Sequence, residues 1–442
     1  MDLKIIAPTD SLNGQITPPG SKSYSHRAFI LAALAPGVSI IKNPLVSGDV
    51  EVTINILKQL GIKILPQEQN MYIITGREHF STSEITAIDC YNSGTSVRIF
   101  SALALLVEGG LKLTGEFFRR NRPIKPLLEA LRKLGAQYSL QEDGVIITRK
   151  DVFCKTIAIR GDISSQFITA LLILLPLLDC SKKGLMEINI TTKLVSYPYV
   201  KISLDVLRNF GISIIEETNN NGLLRYIIET GQKIRTQEYE IPVDFSSASF
   251  IIAAAALSKG DSHVLVKNLD FQNPQGDKRI IEILKQMGAK IQINLAERSV
   301  LVYGNISKYP LKGRKIDCKN IPDLFPILSV VGAFAQGTTH LYNAKSLRFK
   351  ESDRISAMAS ELKKMGVSTE EQEDGLLIHH TEELSGCNID HRKDHRIAMA
   401  CAVAALYASS ESTIKNIEIV KDSYPQFVED LESLGVHIER KT

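Results

Sequence analysis

Lysine and arginine collect at points of this 442-residue chain where helices are about to begin. Ser21-Lys22-Ser23 leads to Arg27, Asn92-Ser93-Gly94-Thr95 leads to Arg98, and Asp394-His395-Arg396 opens an apolar run. Ser164-Ser165-Gln166, Asp244-Phe245-Ser246-Ser247 and Pro322-Asp323 stand at comparable points. Serine, aspartate and asparagine there are ordinary helix caps, since a short side-chain oxygen accepts an orphan backbone N–H. The cations need another reason. A helix N-terminus carries positive partial charge, so Lys22, Arg27, Arg98 and Arg396 work against local stability unless an anion lies among them. Helix N-termini combined with cations bind phosphates and carboxylates. More cations follow in Arg119-Arg120-Asn121-Arg122, in Lys350-Glu351-Ser352-Asp353-Arg354 and at Lys421. Each cluster alone reads as a solvated face, but their return at equivalent points predicts a shared anion-binding cleft.

The elements that must position these residues repeat. The pattern Leu-x-x-(Leu, Phe or Met)-Gly occurs at residues 57–61, 131–135, 207–211, 284–288, 362–366 and 431–435, with the glycines 69 to 78 residues apart. One supersecondary unit used six times accounts for such regularity. Each copy reads as the end of an outer helix whose C′ glycine takes positive φ. Tyr72-Ile73-Ile74, Val145-Ile146-Ile147, Tyr226-Ile227-Ile228, Val300-Leu301-Val302 and Leu376-Leu377-Ile378 then read as hairpin strands. Before each pattern lies a far more apolar helix, at residues 28–35, 97–107, 167–178, 250–257, 324–335 and 397–408. Helices apolar on nearly every side belong inside a domain.

The sixth unit stops seven residues after Gly435, short of a complete hairpin, while strand-like Leu3-Lys4-Ile5-Ile6 is left over before Pro18-Pro19-Gly20. The N-terminal segment is therefore expected to supply the missing strand. One domain would span 21–242 with units one to three, and the other 1–20 plus 243–442 with units four to six, the active site lying in the cleft between them.

Composition narrows the class. Hydrophobic residues at 44% and charged residues at 23% are those of a soluble globular protein. A net charge of +3, from 52 basic and 49 acidic residues, argues against a nucleic-acid coat or a membrane-surface protein. Residues 167–178 are very apolar, but Thr169 and Pro176 interrupt them and they fall short of a bilayer span. The six cysteines show no Cys-x-x-Cys pair and read as reduced thiols of a cytoplasmic protein. His379-His380, His391 and His395 lack partners at metal-ligand spacing, and no dinucleotide fingerprint occurs, so neither metal nor cofactor is expected.

Taken together, Pro19-Gly20-Ser21-Lys22-Ser23…Arg27, Asn92-Ser93-Gly94-Thr95-Ser96-Val97-Arg98, Arg122-Pro123-Ile124, Ser164-Ser165-Gln166-Phe167, Lys350-Glu351-Ser352-Asp353-Arg354 and Asp394-His395-Arg396 closely resemble the 5-enolpyruvylshikimate-3-phosphate synthase family. The resemblance covers essentially the whole chain. It implies an α/β (α+β) fold, a two-domain inside-out α/β barrel of six βαβαββ units, three per domain. It also implies a monomeric cytoplasmic 3-phosphoshikimate 1-carboxyvinyltransferase of the shikimate pathway, acting on phosphoenolpyruvate and shikimate 3-phosphate, with no nucleic-acid or membrane partner. Carried over by position, shikimate 3-phosphate would meet Lys22, Ser23, Arg27, Ser164, Ser165, Gln166, Ser196, Tyr199, Asp323 and Lys350. Phosphoenolpyruvate would meet Lys22, Gly94, Arg122, Gln166, Arg354, Arg396 and Lys421. Asp323 and Glu351 resemble the family's acid–base pair, with Lys22 beside them as a catalytic cation. In the family the herbicide glyphosate, a longer molecule, occupies the phosphoenolpyruvate site.

Two departures stand out: Ser346 where the family often has asparagine, and Ile99 where proline is common. The sister carboxyvinyl transferases acting on UDP-N-acetylglucosamine share the fold but carry a cysteine general acid in the loop corresponding roughly to residues 115–122, and this segment has none. A non-catalytic polyanion-binding scaffold is the other alternative, and the basic clusters lack the interleaved aromatics that stack bases.

Overall fold

A computed structural model describes residues 2–5, 9–80, 84–180 and 184–441 of the chain. The chain packs as two units, one of Lys22–Ile241 and one of Met1–Ser21 with Pro242–Thr442. The first unit contains the apolar helices α1 (Lys22–Leu34), α2 (Gly94–Leu103) and α3 (Ser165–Leu174); the second contains α4 (Phe245–Leu257), α5 (Phe325–Phe334) and α6 (His395–Leu406). Every residue of α1 from Tyr24 onward is buried, as is every residue of α4. Burying one Leu or Ile side chain contributes about 1.5–3 kcal/mol, so helices without a polar face stay inside. In each unit the helices form the interior and three four-stranded sheets cover them, an inside-out α/β arrangement.

One repeat illustrates all six. Thr86–Asp89 passes through α2 into the parallel strand Leu111–Thr114, and the outer helix Lys125–Lys133 leads to the hairpin Ala136–Leu140 with Gly144–Arg149. The second hairpin strand returns antiparallel beside Leu111–Thr114, pairing Leu113 with Val145. The apolar triplets singled out above all lie on this returning strand of their hairpins.

The Leu-x-x-x-Gly pattern is a backbone requirement. Gly61 donates to Lys58 O and Ile62 to Leu57 O, both at 3.0 Å, which makes Leu57 the C3 residue and Gly61 the C′ residue of a Schellman cap. The same pair of bonds closes the outer helices at Gly211, Gly366 and Gly435. All six pattern glycines have positive φ, from +82° to +124°.

Strand exchange completes the sheets. Asp2–Ile5 lies between Ser412–Ile414 and Ile438–Lys441, with Leu3 opposite Ile414 and Arg440. The leftover N-terminal strand thus fills the sixth sheet, as its shortfall indicated; Ile6 is outside the described residues. Asn13–Ile16 serves the fourth sheet beside Ser262–Val266, and Glu238–Glu240 serves the first beside Gly37–Lys42. Helix 167–178 ends earlier than expected, since α3 stops at Leu174 and tightens into a 3₁₀ turn, Leu175–Leu177, holding Pro176. Among the described residues no helix is long and apolar enough to cross a membrane.

The reading of six reduced thiols is corrected at two positions. Cys154 and Cys180 form a disulfide, their Cα atoms 6.1 Å apart. The pairing depends on tertiary placement of two segments 26 residues apart, which no cysteine spacing announces. Cys90, Cys318, Cys387 and Cys401 are free.

Candidate active site

The helix starts of the Lys22–Ile241 unit carry one set of cations and hydroxyls. Lys22 opens α1 with its Nζ 3.5 Å from Asp49 Oδ2, so a carboxylate from the first turn of Gly48–Gln59 offsets its charge. Arg27, one turn on, is buried and donates from Nε to Ser203 Oγ (2.8 Å), from NH1 to Ser23 O (2.7 Å), and from NH2 to Thr169 Oγ1 (3.2 Å) and Tyr199 O (3.1 Å). Three of these bonds tie α1 to α3 and to the helix Tyr197–Asn209, and the fourth, to Ser23 O, stays within α1. Burial pulls the Arg27 pKa down to about 10. Ser196, buried, precedes Tyr197–Asn209 in the left-handed region with φ +55°.

Gly94 begins α2 under the Ser93 cap, whose hydroxyl accepts from Ser96 N–H. Its φ is not positive, so a tight turn does not explain the glycine. A Cβ there would lie 2.9 Å from Arg122 NH2 and 3.0 Å from Arg98 NH1, so glycine makes room for two guanidinium groups. Both guanidiniums stand over the Phe117 ring, at 5.1 Å and 5.0 Å from its centroid. Arg122 NH1 grips Asn92 at its backbone O (2.6 Å) and at Oδ1 (3.2 Å). Ser164 caps α3 by accepting from Gln166 N–H; Ser165 is buried. Gln166 joins α3 to α2, accepting from Arg98 and donating to Thr95 Oγ1 at 3.0 Å.

The other unit builds its site around Arg354, the first residue of the outer helix Arg354–Lys364. NH1 meets Asp323 Oδ1 at 2.7 Å, NH2 meets Glu351 Oε2 at 2.9 Å, and Nε meets Asp394 Oδ2 at 2.8 Å. Burial disfavours its charge, but Asp394, Glu351 and Asp323 outweigh that and hold the pKa above the usual arginine value. Asp394 works twice, since it also caps α6 by accepting from Arg396 N–H. Arg396 NH2 lies 3.1 Å from Asp323 Oδ2, so the Asp323 carboxylate rests between two arginines. Deeper in, burial pushes Asp244 up, and burial followed by the charge of Asp323 pushes Asp277 up to about 7. Lys350 follows the 3₁₀ turn Lys345–Phe349, and Lys421 lies exposed on the turn Ile417–Asp422.

The structure thus joins Asp323, Glu351, Arg354 and Arg396 by direct ion pairs. It joins Lys22, Ser23, Arg27 and Tyr199 through α1, and Gly94, Arg122 and Gln166 through α2. The sequence reading gave Asp49 no place, took Asn92 and Asp394 only as helix caps, and counted Arg98 among the cleft cations without assigning it to either substrate. Asp394 was legible as a cap, but its second partner lies 40 residues upstream. His379, His391 and His395 face Glu370, the Lys415 carbonyl and Asp422. Chemically, one set offers hydroxyls and cations that suit a phosphate. The other offers two carboxylates poised against arginine, which suits proton transfer beside an anionic substrate.

Comparison with known proteins agrees with this chemistry. Residues 6–431 match the family model described as EPSP synthase (3-phosphoshikimate 1-carboxyvinyltransferase). The 3-phosphoshikimate 1-carboxyvinyltransferase of Methanocaldococcus jannaschii is 42% identical, with 100% of both chains covered. That of Methanococcus vannielii is 41% identical over 98% of this chain and 99% of its own. Among solved structures, EPSP synthase from Acinetobacter baumannii superposes with a TM-score of 0.80 at 28% identity, covering all of both chains. The enolpyruvyl transferase NikO from Streptomyces tendae, at 18% identity over 100% of this chain and 99% of its own with a TM-score of 0.77, shares the fold.

Proposed function

This chain belongs to the EPSP synthase family, and from that premise we propose the following roles for its residues. The reaction itself is the family's: the enolpyruvyl group of phosphoenolpyruvate passes to the 5-hydroxyl of shikimate 3-phosphate, with release of phosphate. The 5-oxygen adds to C2 of phosphoenolpyruvate while C3 gains a proton. Phosphate then leaves C2 as C3 gives a proton up, which restores the double bond. One group must therefore take the hydroxyl proton and another must serve C3.

We assign these tasks to Asp323 and Glu351. The observation that carries the assignment is that Arg354 pairs with both carboxylates, at 2.7 Å and 2.9 Å, so a single cation holds the acid–base pair in place. Arg354, Arg396, Arg122, Lys421 and Gln166 would take the carboxylate and phosphate of phosphoenolpyruvate, with Gly94 giving the guanidiniums room. Ser23, Arg27, Ser164, Ser165, Gln166, Ser196, Tyr199, Lys350 and Asp323 would take shikimate 3-phosphate. Lys22 would offset charge from both ligands. Each set draws on residues of both units, so on this reading both units serve the same pair of substrates. A cytoplasmic monomer is the proposed setting, and the small net charge of +3 supports the absence of a nucleic-acid or membrane partner.

The test is inorganic phosphate release from phosphoenolpyruvate with shikimate 3-phosphate, compared with UDP-N-acetylglucosamine as acceptor. Release only with shikimate 3-phosphate is expected. Release only with the nucleotide sugar would overturn the acceptor assignment.

A further inference from the structure

Behind the substrate-facing side of α1 runs a buried polar chain that the reaction does not use directly. His26 Nδ1 lies 2.8 Å from Thr53 Oγ1, Thr53 Oγ1 lies 2.9 Å from Ser96 Oγ, and Ser96 Oγ lies 2.8 Å from Ser93 Oγ. All four side chains are essentially inaccessible to water. The chain crosses three helices, from α1 through Gly48–Gln59 to α2, and stops at the residue that caps α2 immediately before Gly94.

Proton placement gives the chain a direction. His26 Nε2 is buried and has no hydrogen-bond partner among the described residues. A buried N–H without an acceptor is the costlier orphan, so the ring proton belongs on Nδ1, where it donates to Thr53. Thr53 then donates to Ser96, and Ser96 to Ser93. Ser93 Oγ also accepts from the Ser96 backbone N–H at 3.3 Å. Burial keeps the imidazole neutral by lowering its pKa well below the usual value, with Lys22 and Arg27 adding to the effect, so the unpartnered Nε2 carries no proton.

The Asn92–Ser93–Gly94 turn is thereby held from two sides. Arg122 grips the Asn92 carbonyl at 2.6 Å on one side, and the His26 chain fixes Ser93 on the other. Thr95 and Arg98, next on α2, are both bonded to Gln166, so a shift of this turn would move the groups around Gly94 together. The helix that carries His26 also carries Lys22.

We propose that His26 is a positioning residue for phosphoenolpyruvate binding, which through Thr53 and Ser96 sets the Ser93–Gly94 turn in register with Lys22. This rests on the reading that the Gly94 turn meets phosphoenolpyruvate. His26→Leu and Thr53→Val remove donors while roughly keeping volume, and His26→Asn returns an amide N–H near the place of Nδ1. Steady-state kinetics on the full chain should show KM for phosphoenolpyruvate rising about three- to ten-fold in the Leu and Val variants, the range expected for loss of one net hydrogen bond. KM for shikimate 3-phosphate should stay within about two-fold, no more than the weakest net hydrogen bond is worth, since neither variant removes a group assigned to that ligand. The Asn variant should recover most of the loss, and the double variant His26→Leu/Thr53→Val should lose less than the two single losses combined. Equal rises for both substrates, no rise at all, or failure of Asn to rescue would overturn the proposal. Should His26→Leu fail to fold, Thr53→Val carries the same test. Arg122→Lys, run in parallel, separates the two layers of argument. If it raises the phosphoenolpyruvate KM while the His26 and Thr53 variants do not, the positioning role falls and the site reading stands; if it too leaves that KM unchanged, the site reading falls.

Discussion

Arg354 NH1 and Asp323 Oδ1 lie 2.7 Å apart, the arginine buried and the aspartate at the edge of solvent. The same guanidinium reaches Glu351 and Asp394, so three carboxylates share one cation at the start of one helix. Removing one partner of a buried pair leaves the others uncompensated, which typically costs about 3–5 kcal/mol. Arg354 is therefore a poor first target for dissecting function, and its partners are better ones.

Glu351→Gln keeps shape and most hydrogen bonding but cannot exchange the proton. Asp323 and Asp394 still hold Arg354 in this variant. Turnover should fall about 10²–10⁴-fold with phosphoenolpyruvate affinity largely retained. Saturation kinetics together with equilibrium binding decide this, and lost binding with surviving turnover would make the role structural.

Asp277 links the site to pH. Its carboxyl is pushed up to about 7 in the folded protein by burial and by Asp323, against about 3.9 when unfolded. Between those values the folded state holds a proton that the unfolded state has released, so this group's contribution to stability declines as pH rises from about 4 to about 7. Asp277→Asn should flatten that part of the profile and gain on wild type at pH 8 relative to pH 5. Unfolding midpoints in denaturant at the two pH values measure the difference; parallel profiles would refute it.

Gly94→Ala would set a methyl carbon 2.9 Å from Arg122 NH2 and 3.0 Å from Arg98 NH1. Arg122 is anchored at Asn92 and Arg98 at Pro123 O (2.8 Å), so neither tip yields without loosening a bond. Inhibition by glyphosate should weaken more than KM for phosphoenolpyruvate rises, because the longer ligand has less slack. Equal losses for both ligands would show that the methyl group acts on folding or on shared contacts.

The Cys154–Cys180 bridge closes a loop with a sequence separation of 26. Loop-closure entropy for that length is worth about 3.5 kcal/mol. Cys154→Ser should lower the denaturant midpoint while leaving KM for both substrates unchanged, since Ser164, Ser165 and Gln166, which lie inside the closed loop, are held by α3 and the bonds of Gln166 to α2 and not by the bridge. Thiol titration of the denatured wild type should find four free cysteines rather than six.

What the amino-acid order determined by itself was the repeating architecture. A C′ glycine four residues after leucine is a local backbone demand: Leu57 O and the N–H of Ile62 must meet, and positive φ at Gly61 lets them. Helices such as α4, apolar on every side, can only be interior, so their burial was readable without coordinates. Capping serines and aspartates were readable for the same reason, since cap and capped N–H lie within three residues. Tertiary structure alone decided the partners. Arg27 meets Thr169 and Ser203 across 142 and 176 residues, Arg354 meets Asp394 across 40, and Cys154 meets Cys180. Such pairs leave no periodic trace, because they are set by how the helices pack and not by any dihedral or pattern along the chain. The purpose of Gly94 belongs with them: its own φ is ordinary, and the need for glycine comes from two arginines delivered by Arg98 on its own helix and Arg122 in a later loop.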